Sequence, residues 1–201
     1  MNKKGLLFVI SGPAGTGKGT VVQHLLETGE FFYSVSATTR APRPGELHGK
    51  NYYFISKEEF EQKIAAGEML EYAEYIGNYY GTPKSAVEEA LNAGKNVILE
   101  IETKGALQIR EKMPDAVLIL ILAPDITTLE ARLIGRGTES AEVVAKRMAE
   151  ARREVTLLDK YDYVVVNEDG KSEEAALDII VISRTEKMRA CRNKELKEKF
   201  I

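Results

Sequence analysis

The sequence predicts an α/β protein: a parallel sheet flanked by helices, with a mixed α/β insertion and a small helical lid attached to this core. Short, continuous apolar runs recur along the chain, as expected for strands buried on both faces of a parallel sheet. Segments with the helical spacing of apolar residues separate these runs. A glycine-rich loop at residues 12–20 directly follows the first run and leads into a helix.

The first half of the chain contains signals for both strands and helices. We predict strands at Leu6–Ile10, Tyr33–Thr39, Tyr52–Ile55, Leu70–Ile76 and Tyr79–Tyr80. We predict helices at Thr20–Glu27, from a capping box at Ser56 to about Gly67, and from Thr82-Pro83, with the proline at the first helical position, to Gly94. Gly77-Asn78 lies between two of the strands and indicates a hairpin.

The second half alternates strands and helices more regularly. The predicted strands are Val97–Ile101, Val117–Leu122 and Tyr163–Val166. The predicted helices run from a cap at Asp125 to Leu133, from Ser140 to Leu158 and from Glu173 to Arg192, and the mixed-charge end at 186–199 is predicted to be a solvated helix. The core then comprises residues of about 1–33, 85–125 and 153–201, the insertion about 34–84, and the arginine-rich lid about 126–152.

Composition limits the classes of function. The chain has 201 residues, 44% of them hydrophobic, which suits one well-buried domain with insertions or two small domains. Its net charge of −3 argues against a general nucleic-acid binder, so anionic partners must be held by local clusters. Cys191 is the sole cysteine, and the apolar run at 116–123 is too short to span a bilayer. We expect a cytoplasmic protein that binds no nucleic acid and no membrane.

The loop at residues 12–20 has the spacing of a phosphate-binding loop. Its glycines let successive backbone N–H groups point at phosphate oxygens, and the following helix adds its positive dipole end. Lys18 supplies a cation for a transferred phosphate. Gly19, however, stands where many such loops place a hydroxyl that binds Mg²⁺. The pattern predicts nucleotide binding but leaves the reaction open.

Residues 34–46 form a second candidate binding segment. Arg40 and Arg43 lie three residues apart, and Pro42 and Pro44 stiffen the turn that carries them. Guanidinium groups suit a phosphate monoester. A solvated surface turn with incidental arginines remains an equal alternative from these residues alone.

Three later blocks decide between these alternatives: residues 52–54 (Tyr-Tyr-Phe), 68–72 (Glu-Met-Leu-Glu-Tyr) and 77–82 (Gly-Asn-Tyr-Tyr-Gly-Thr). Together with the loop and the arginine segment, they resemble the guanylate kinases over residues 5–188. The resemblance implies a P-loop core and transfer of the γ-phosphate of ATP to GMP or dGMP. It also implies Mg²⁺ bound with ATP, and no obligatory protein partner is evident.

The resemblance also implies a role for individual residues at matching positions. The ATP site would comprise Gly12, Pro13, Ala14, Gly15, Thr16, Gly17, Lys18, Gly19, Thr20, Arg132 and Asn167. The GMP site would comprise Ser36, Arg40, Arg43, Tyr52, Glu71, Tyr80, Thr82 and Glu102. The catalytic cations would be Lys18, Arg136 and Arg147, and Glu100 and Glu102 would contact the metal only through water. A carboxylate such as Glu71 can accept both donors on one edge of guanine, whereas adenine offers no such pair.

Several positions depart from the family pattern. Glu102 stands where the family usually has Asp, Lys104 where it has Gln, and Ala14 where Ser is common. Two alternatives stay open: a guanylate-kinase-like module that binds proteins without catalysis, and a kinase for another nucleoside monophosphate. The first is disfavoured by an intact phosphate loop, with Gly12, Gly17, Lys18 and Thr20 all present. The second is disfavoured by Glu71 and the tyrosine hairpin.

Overall fold

The computed structural model describes residues 4–75, 77–135, 137 and 140–201. In chain order its strands are β1 (Leu7–Ser11), β2 (Phe31–Tyr33), β3 (Ala37–Thr38), β4 (Tyr53–Phe54), β5 (Met69–Tyr75), β6 (Asn78–Pro83), β7 (Asn96–Glu100), β8 (Val117–Leu122) and β9 (Tyr163–Val166). Its α-helices are α1 (Lys18–Glu27), α2 (Lys57–Ala65), α3 (Lys84–Asn92), α4 (Thr103–Lys112), α5 (Ile126–Gly135), α6 (Ala141–Val155) and α7 (Ser172–Met188). Short 3₁₀ helices occur at Leu158–Lys160, Ala190–Arg192 and Lys194–Lys199.

The central sheet is parallel, with the strand order β2-β7-β1-β8-β9. Every residue of β1 is buried, because helices cover both faces of the sheet. Phe8 and Ile10 pack into a cluster with α1 and α7, while Leu7 and Val9 pack into a second cluster with α3 and α4. The alternation of side chains along one strand thus fills two apolar layers. The predicted α/β class with a parallel sheet is confirmed.

Helix α4 was not predicted from the sequence, although a parallel crossover from β7 to β8 requires a long connection. Its buried residues are small or few: Thr103, Gly105, Ala106 and Ile109. A stripe of glycine and alanine gives a weak hydrophobic pattern, and the charged residues around it hide the helix further.

The insertion forms a second sheet with the order β4-β3-β6-β5. The predicted hairpin is confirmed: β5 and β6 pair antiparallel, and Gly77 has a φ of 71° in the turn. The single predicted strand Tyr33–Thr39 is wrong, because β2 belongs to the central sheet and β3 to the second sheet, with residues 34–36 crossing between them. Pro83 is also the last residue of β6 and the N-cap of α3, so the helix begins one residue later than predicted.

The C-terminal end differs from its prediction as well. Helix α7 ends at Met188, four residues before the predicted end, and 3₁₀ turns follow instead of a continuous solvated helix. Glu186 is only 1% exposed and accepts hydrogen bonds from Tyr163, Arg189 and Arg192. These bonds satisfy a buried carboxylate and hold the chain end against the sheet.

The lid residues form α5 and α6, whose inner faces pack around Leu129, Leu133 and Met148. The side-chain oxygen of Asp125 caps α5, as the sequence predicts. The side-chain oxygen of Ser140 caps α6, which begins one residue later and ends three residues earlier than the predicted helix from Ser140 to Leu158. No helix within the described ranges is both long enough and apolar enough to cross a bilayer. The division into core, insertion and lid at the boundaries given above stays a prediction.

Candidate active site

The loop between β1 and α1 has the backbone geometry that a phosphate-binding loop needs. Gly12 has a φ of 143°, and a Cβ at this position would lie 2.1 Å from the carbonyl oxygen of Ile121. Gly17 has a φ of 83° and is the N-cap of α1. A residue with a side chain would be strained at either position, so the glycines are required by the path of the backbone. The loop N–H groups therefore lie at the positive end of α1.

Lys18 folds back over this loop. Its ammonium group donates hydrogen bonds to the carbonyl oxygens of Gly12 at 2.5 Å and Pro13 at 3.0 Å. The buried Thr16 hydroxyl donates to the same Pro13 oxygen at 3.0 Å. The predicted ATP loop runs from Gly12 to Thr20, and the Lys18 ammonium lies against the carbonyls of its first two residues.

Glu100 lies beside the position where the usual hydroxyl is missing. A Cβ built on Gly19 would be 3.7 Å from Oε1 of Glu100, which is ordinary van der Waals contact. Burial raises the pKa of Glu100, and the nearby Lys18 ammonium opposes this rise. A carboxylate therefore lies beside the place that a serine or threonine side chain would occupy.

Asn167 lies against Thr16 and Gly17 of the loop, and Arg132 contacts Asn167. The amide nitrogen of Asn167, a residue only 5% exposed, donates to the Thr16 carbonyl at 2.8 Å. Among the described residues, none donates a hydrogen bond to Oδ1 of Asn167. Arg132 donates to the Asn167 carbonyl at 2.8 Å and to Asp169 at 2.7 Å. The two predicted ATP residues are therefore in contact with each other, and Asn167 binds the loop backbone at Thr16.

Arg40 is the centre of an aromatic and charged cluster in the insertion. Its two terminal nitrogens bind both oxygens of Glu46, at 3.0 and 2.9 Å. Its guanidinium carbon lies 5.6 Å from the ring centroid of Tyr52, which makes an edge contact with Tyr80 at 6.1 Å. Glu46 also accepts a 2.7 Å bond from the backbone N–H of Arg43. The turn with both predicted phosphate-binding arginines is thus folded around one carboxylate.

Glu71 is buried at the start of the hairpin, with 4% of its surface exposed. Its Oε1 accepts a 2.7 Å hydrogen bond from the hydroxyl of Thr82. Burial raises the pKa of Glu71 to about 7. A Cβ on Gly105 would lie 2.5 Å from Oε2, so a glycine on α4 is what permits this placement. Glu71 is therefore a buried carboxylate, although glutamate side chains are usually exposed.

A cavity of about 470 Å³ connects these groups. Predicted site residues in its wall are Lys18, Ser36, Arg43, Tyr52, Glu71, Tyr80, Glu100, Glu102 and Arg147. The wall therefore joins the phosphate loop, the insertion and the lid helix α6 in one space. Arg136 lies outside the described residues.

Several residues that shape this site had no role predicted from the sequence. Glu46 is the last residue of the candidate binding segment at 34–46, yet only the structure shows that it pairs with Arg40. Tyr33 lines the cavity, and burial and Glu100 both raise the pKa of its hydroxyl. Thr103 on α4 donates to Glu154 on α6 at 2.9 Å. An arginine followed six residues later by glutamate could have suggested the first contact, whereas the last one joins residues that are 51 positions apart.

Comparisons with known proteins agree with this geometry. The family model described as guanylate kinase matches residues 4–182. A guanylate kinase of Streptococcus thermophilus is 56% identical over 171 residues, covering 84% of this chain and 82% of the relative. One of Lactococcus lactis is 55% identical over 169 residues, with the same coverage. The crystal structure of guanylate kinase from Anaplasma phagocytophilum matches with a TM-score of 0.78 at 37% identity, covering 100% of this chain and 98% of that one.

Proposed function

The chain belongs to the guanylate kinase family, and from that membership we propose how its own residues carry out the family reaction. That reaction transfers the γ-phosphate of ATP to GMP and gives ADP and GDP. The observation that carries the residue assignments is the shared cavity, whose wall holds both the phosphate-loop Lys18 and the buried Glu71. We extend the acceptor to dGMP, and we assign the reaction to GMP recycling in purine nucleotide metabolism in the cytoplasm.

On the donor side, the loop N–H groups and Lys18 bind the ATP phosphates. In the structure Lys18 is held by the carbonyls of Gly12 and Pro13, so ATP takes over a cation that is already directed at the loop. The unpaired Oδ1 of Asn167 supports a contact with the adenine amino group, because a buried acceptor without a donor is costly. Arg132 keeps Asn167 in place through its backbone carbonyl.

On the acceptor side, Arg40, Arg43, Tyr52 and Tyr80 bind the GMP phosphate. Glu46 holds both terminal nitrogens of Arg40 in one plane, so the guanidinium loses little further freedom on binding. A phosphate monoester with nearly two negative charges matches these cations and phenolic donors.

Guanine recognition is assigned to Glu71, with Ser36 and Thr82 beside it. The ionised carboxylate accepts bonds from N1–H and the 2-amino group. Thr82 already donates to Oε1 and so fixes the rotation of the carboxylate. Adenine presents no matching donor pair, and its binding would leave the buried carboxylate unsatisfied.

The transfer step needs alignment and charge neutralisation more than covalent chemistry. Lys18 and Arg147 line the same cavity, between the donor and acceptor sites, and Arg136 of the lid completes the set of cations. Cations aimed at the oxygens of the transferred phosphoryl group stabilise its transition state. No residue is assigned as a general base.

The carboxylates in the cavity wall also suit Mg²⁺, which enters with ATP. Carboxylate oxygens are ligands that Mg²⁺ prefers, and the ion usually keeps several waters. Glu100, which lies beside Gly19, would hold those waters, with Glu102 further along the same wall. The bound ion supplies charge neutralisation on the ATP phosphates.

A coupled assay of ADP formation with GMP, dGMP, AMP and UMP tests the assignments. We expect turnover with GMP and dGMP and at least about 10²-fold lower kcat/KM with AMP and UMP. Glu71→Gln should lower kcat/KM for GMP by about 10²–10⁴-fold without changing the KM for ATP. If the GMP and ATP parameters fall together, Glu71 supports the fold and does not read the base.

A further inference from the structure

One face of α4 is turned toward the backbone of β5. Gly105, Gln108 and Lys112 recur at intervals of three and four residues, which places them on the same side of the helix. The Gln108 side chain donates from Nε2 to the carbonyl of Tyr72 at 2.8 Å and accepts at Oε1 from the Tyr72 N–H at 3.2 Å. The Lys112 ammonium donates to the carbonyl of Leu70 at 2.7 Å. A helix that packs on the central sheet therefore binds backbone groups of the insertion directly.

These contacts occupy an exposed edge of the second sheet. Strand β5 is the last strand in the order β4-β3-β6-β5, so the backbone groups that face away from β6 have no strand partner there. The amide of Gln108 meets both the N–H and the C=O of one edge residue, Tyr72, as a residue of a neighbouring strand would. The edge is paired by side chains of α4.

The residues held in this way flank Glu71 on both sides. The Leu70 side chain is buried in the core cluster that includes Ala106 and Ile109 of α4. Gly105 of the same helix leaves the space into which the Glu71 carboxylate projects. The Lys112 ammonium also lowers the pKa of Glu71 and so opposes the effect of burial. Each neighbour of Glu71 along the strand, and the space beneath its carboxylate, is thus set by α4.

We propose that Gln108 and Lys112 are positioning residues for guanine recognition, which hold β5 on both sides of Glu71 and so aim its carboxylate at the base. The inference rests on the proposed function of Glu71. It follows that the carboxylate that reads the base is fixed to a helix packed on the central sheet, whereas the arginine turn that binds the phosphate is held within the insertion.

The test compares GMP with inosine monophosphate, which keeps N1–H but lacks the 2-amino group. The ratio of the two kcat/KM values reports whether the carboxylate is positioned to bind the 2-amino group. A general loss of stability affects both substrates equally and does not change this ratio. We expect Gln108→Leu and Lys112→Met each to lower the ratio by at least about fivefold, with the KM for ATP unchanged. Gln108→Glu keeps the acceptor for Tyr72 N–H but sets an oxygen against its carbonyl, so it should also lower the ratio. Gln62→Leu, the same change at an exposed site on α2, should keep the wild-type ratio.

The variant Glu71→Gln, measured in parallel, tests the proposed role of Glu71 separately from the positioning role of Gln108 and Lys112. If Glu71→Gln removes the preference for GMP while Gln108→Leu and Lys112→Met retain it fully, the positioning role is overturned and the function of Glu71 stands. If Glu71→Gln itself keeps the preference, the reading of guanine by Glu71 is overturned, and the positioning role with it. Thermal melting by circular dichroism checks that each variant is folded at the assay temperature. If Gln108→Leu does not fold, Lys112→Met and Gln108→Glu decide by the same criterion.

Discussion

Lowering the pH from 8 to 6 should weaken GMP binding to the wild-type protein about tenfold through Glu71 alone. The carboxyl group must be ionised to accept two hydrogen bonds from guanine, and in the ligand-free site its pKa is raised to about 7. The fraction that is ionised then limits the affinity. The apparent Kd is multiplied by about 11 at pH 6 and by about 1.1 at pH 8, which gives the tenfold change.

Isothermal titration calorimetry with GMP across this range measures the effect. The phosphate of GMP itself titrates near pH 6. The Kd values of the wild-type protein must therefore be divided by those of Glu71→Gln at each pH, because this variant binds the same phosphate and lacks the carboxyl group. At pH 7, binding should also release about half a proton from Glu71, which is visible as a dependence of the heat on the buffer. A ratio of the two profiles that is flat between pH 6 and 8 would refute the ionisation argument.

The same raised pKa has a consequence for stability. In the unfolded chain Glu71 has the ordinary pKa of 4.5, so the folded state is not penalised below that pH. The penalty grows as the pH rises from 4.5 to about 7 and is complete above it, where the difference in pKa corresponds to about 3 kcal/mol. Glu71→Gln removes the ionisation, so at pH 8 it should raise the Tm of the ligand-free protein by about 6–12 °C. Equal Tm values for the two proteins at pH 8 would contradict the burial argument.

Three further changes test the phosphate side of the site. Lys18→Ala should lower kcat by at least about 10³-fold, because one cation on a developing charge contributes several kcal/mol in a dry site; near-normal single-turnover rates would refute this. Gly19→Ser should keep kcat/KM within about tenfold, since its Cβ meets Glu100 only at ordinary contact distance, and a larger loss in steady-state assays would show that the space is needed. Glu100→Gln should raise the Mg²⁺ concentration needed for the half-maximal rate. An unchanged Mg²⁺ titration would show that Glu100 does not contact the water bound to the metal.

The phosphate loop was the most predictable part of the site. An apolar run, three glycines and a lysine determine a strand, a turn and a helix within about 20 consecutive residues, and the structure has them in that order. The glycines are required by positive φ and close backbone approach, which are local properties of the chain. Local requirements of this kind leave a readable pattern in the sequence.

Glu71 shows where a pattern within the chain is not enough. Its strand neighbours and its charge favour an exposed side chain, and only the resemblance to a family pointed to the base. Its burial depends on Thr82 eleven positions away and on Gly105 in another layer. The division of the predicted strand Tyr33–Thr39 between two sheets has a similar origin, because apolar residues at 31–38 suit either sheet and tertiary packing selects the break.

Helix α4 shows most clearly that a set of structural contacts can lack a sequence signal. Through Thr103 it contacts Glu154 of the lid helix, through Gly105 it makes room for Glu71, and through Gln108 and Lys112 it binds the edge of the second sheet. Gln108 and Lys112 bind backbone groups, which every residue type carries, so the partner segment needs no matching side chain. Gly105 acts through the lack of a side chain. A helix that links three parts of the molecule in this way leaves almost no trace in hydrophobic periodicity, and its role emerges only when the strand edge it covers is known.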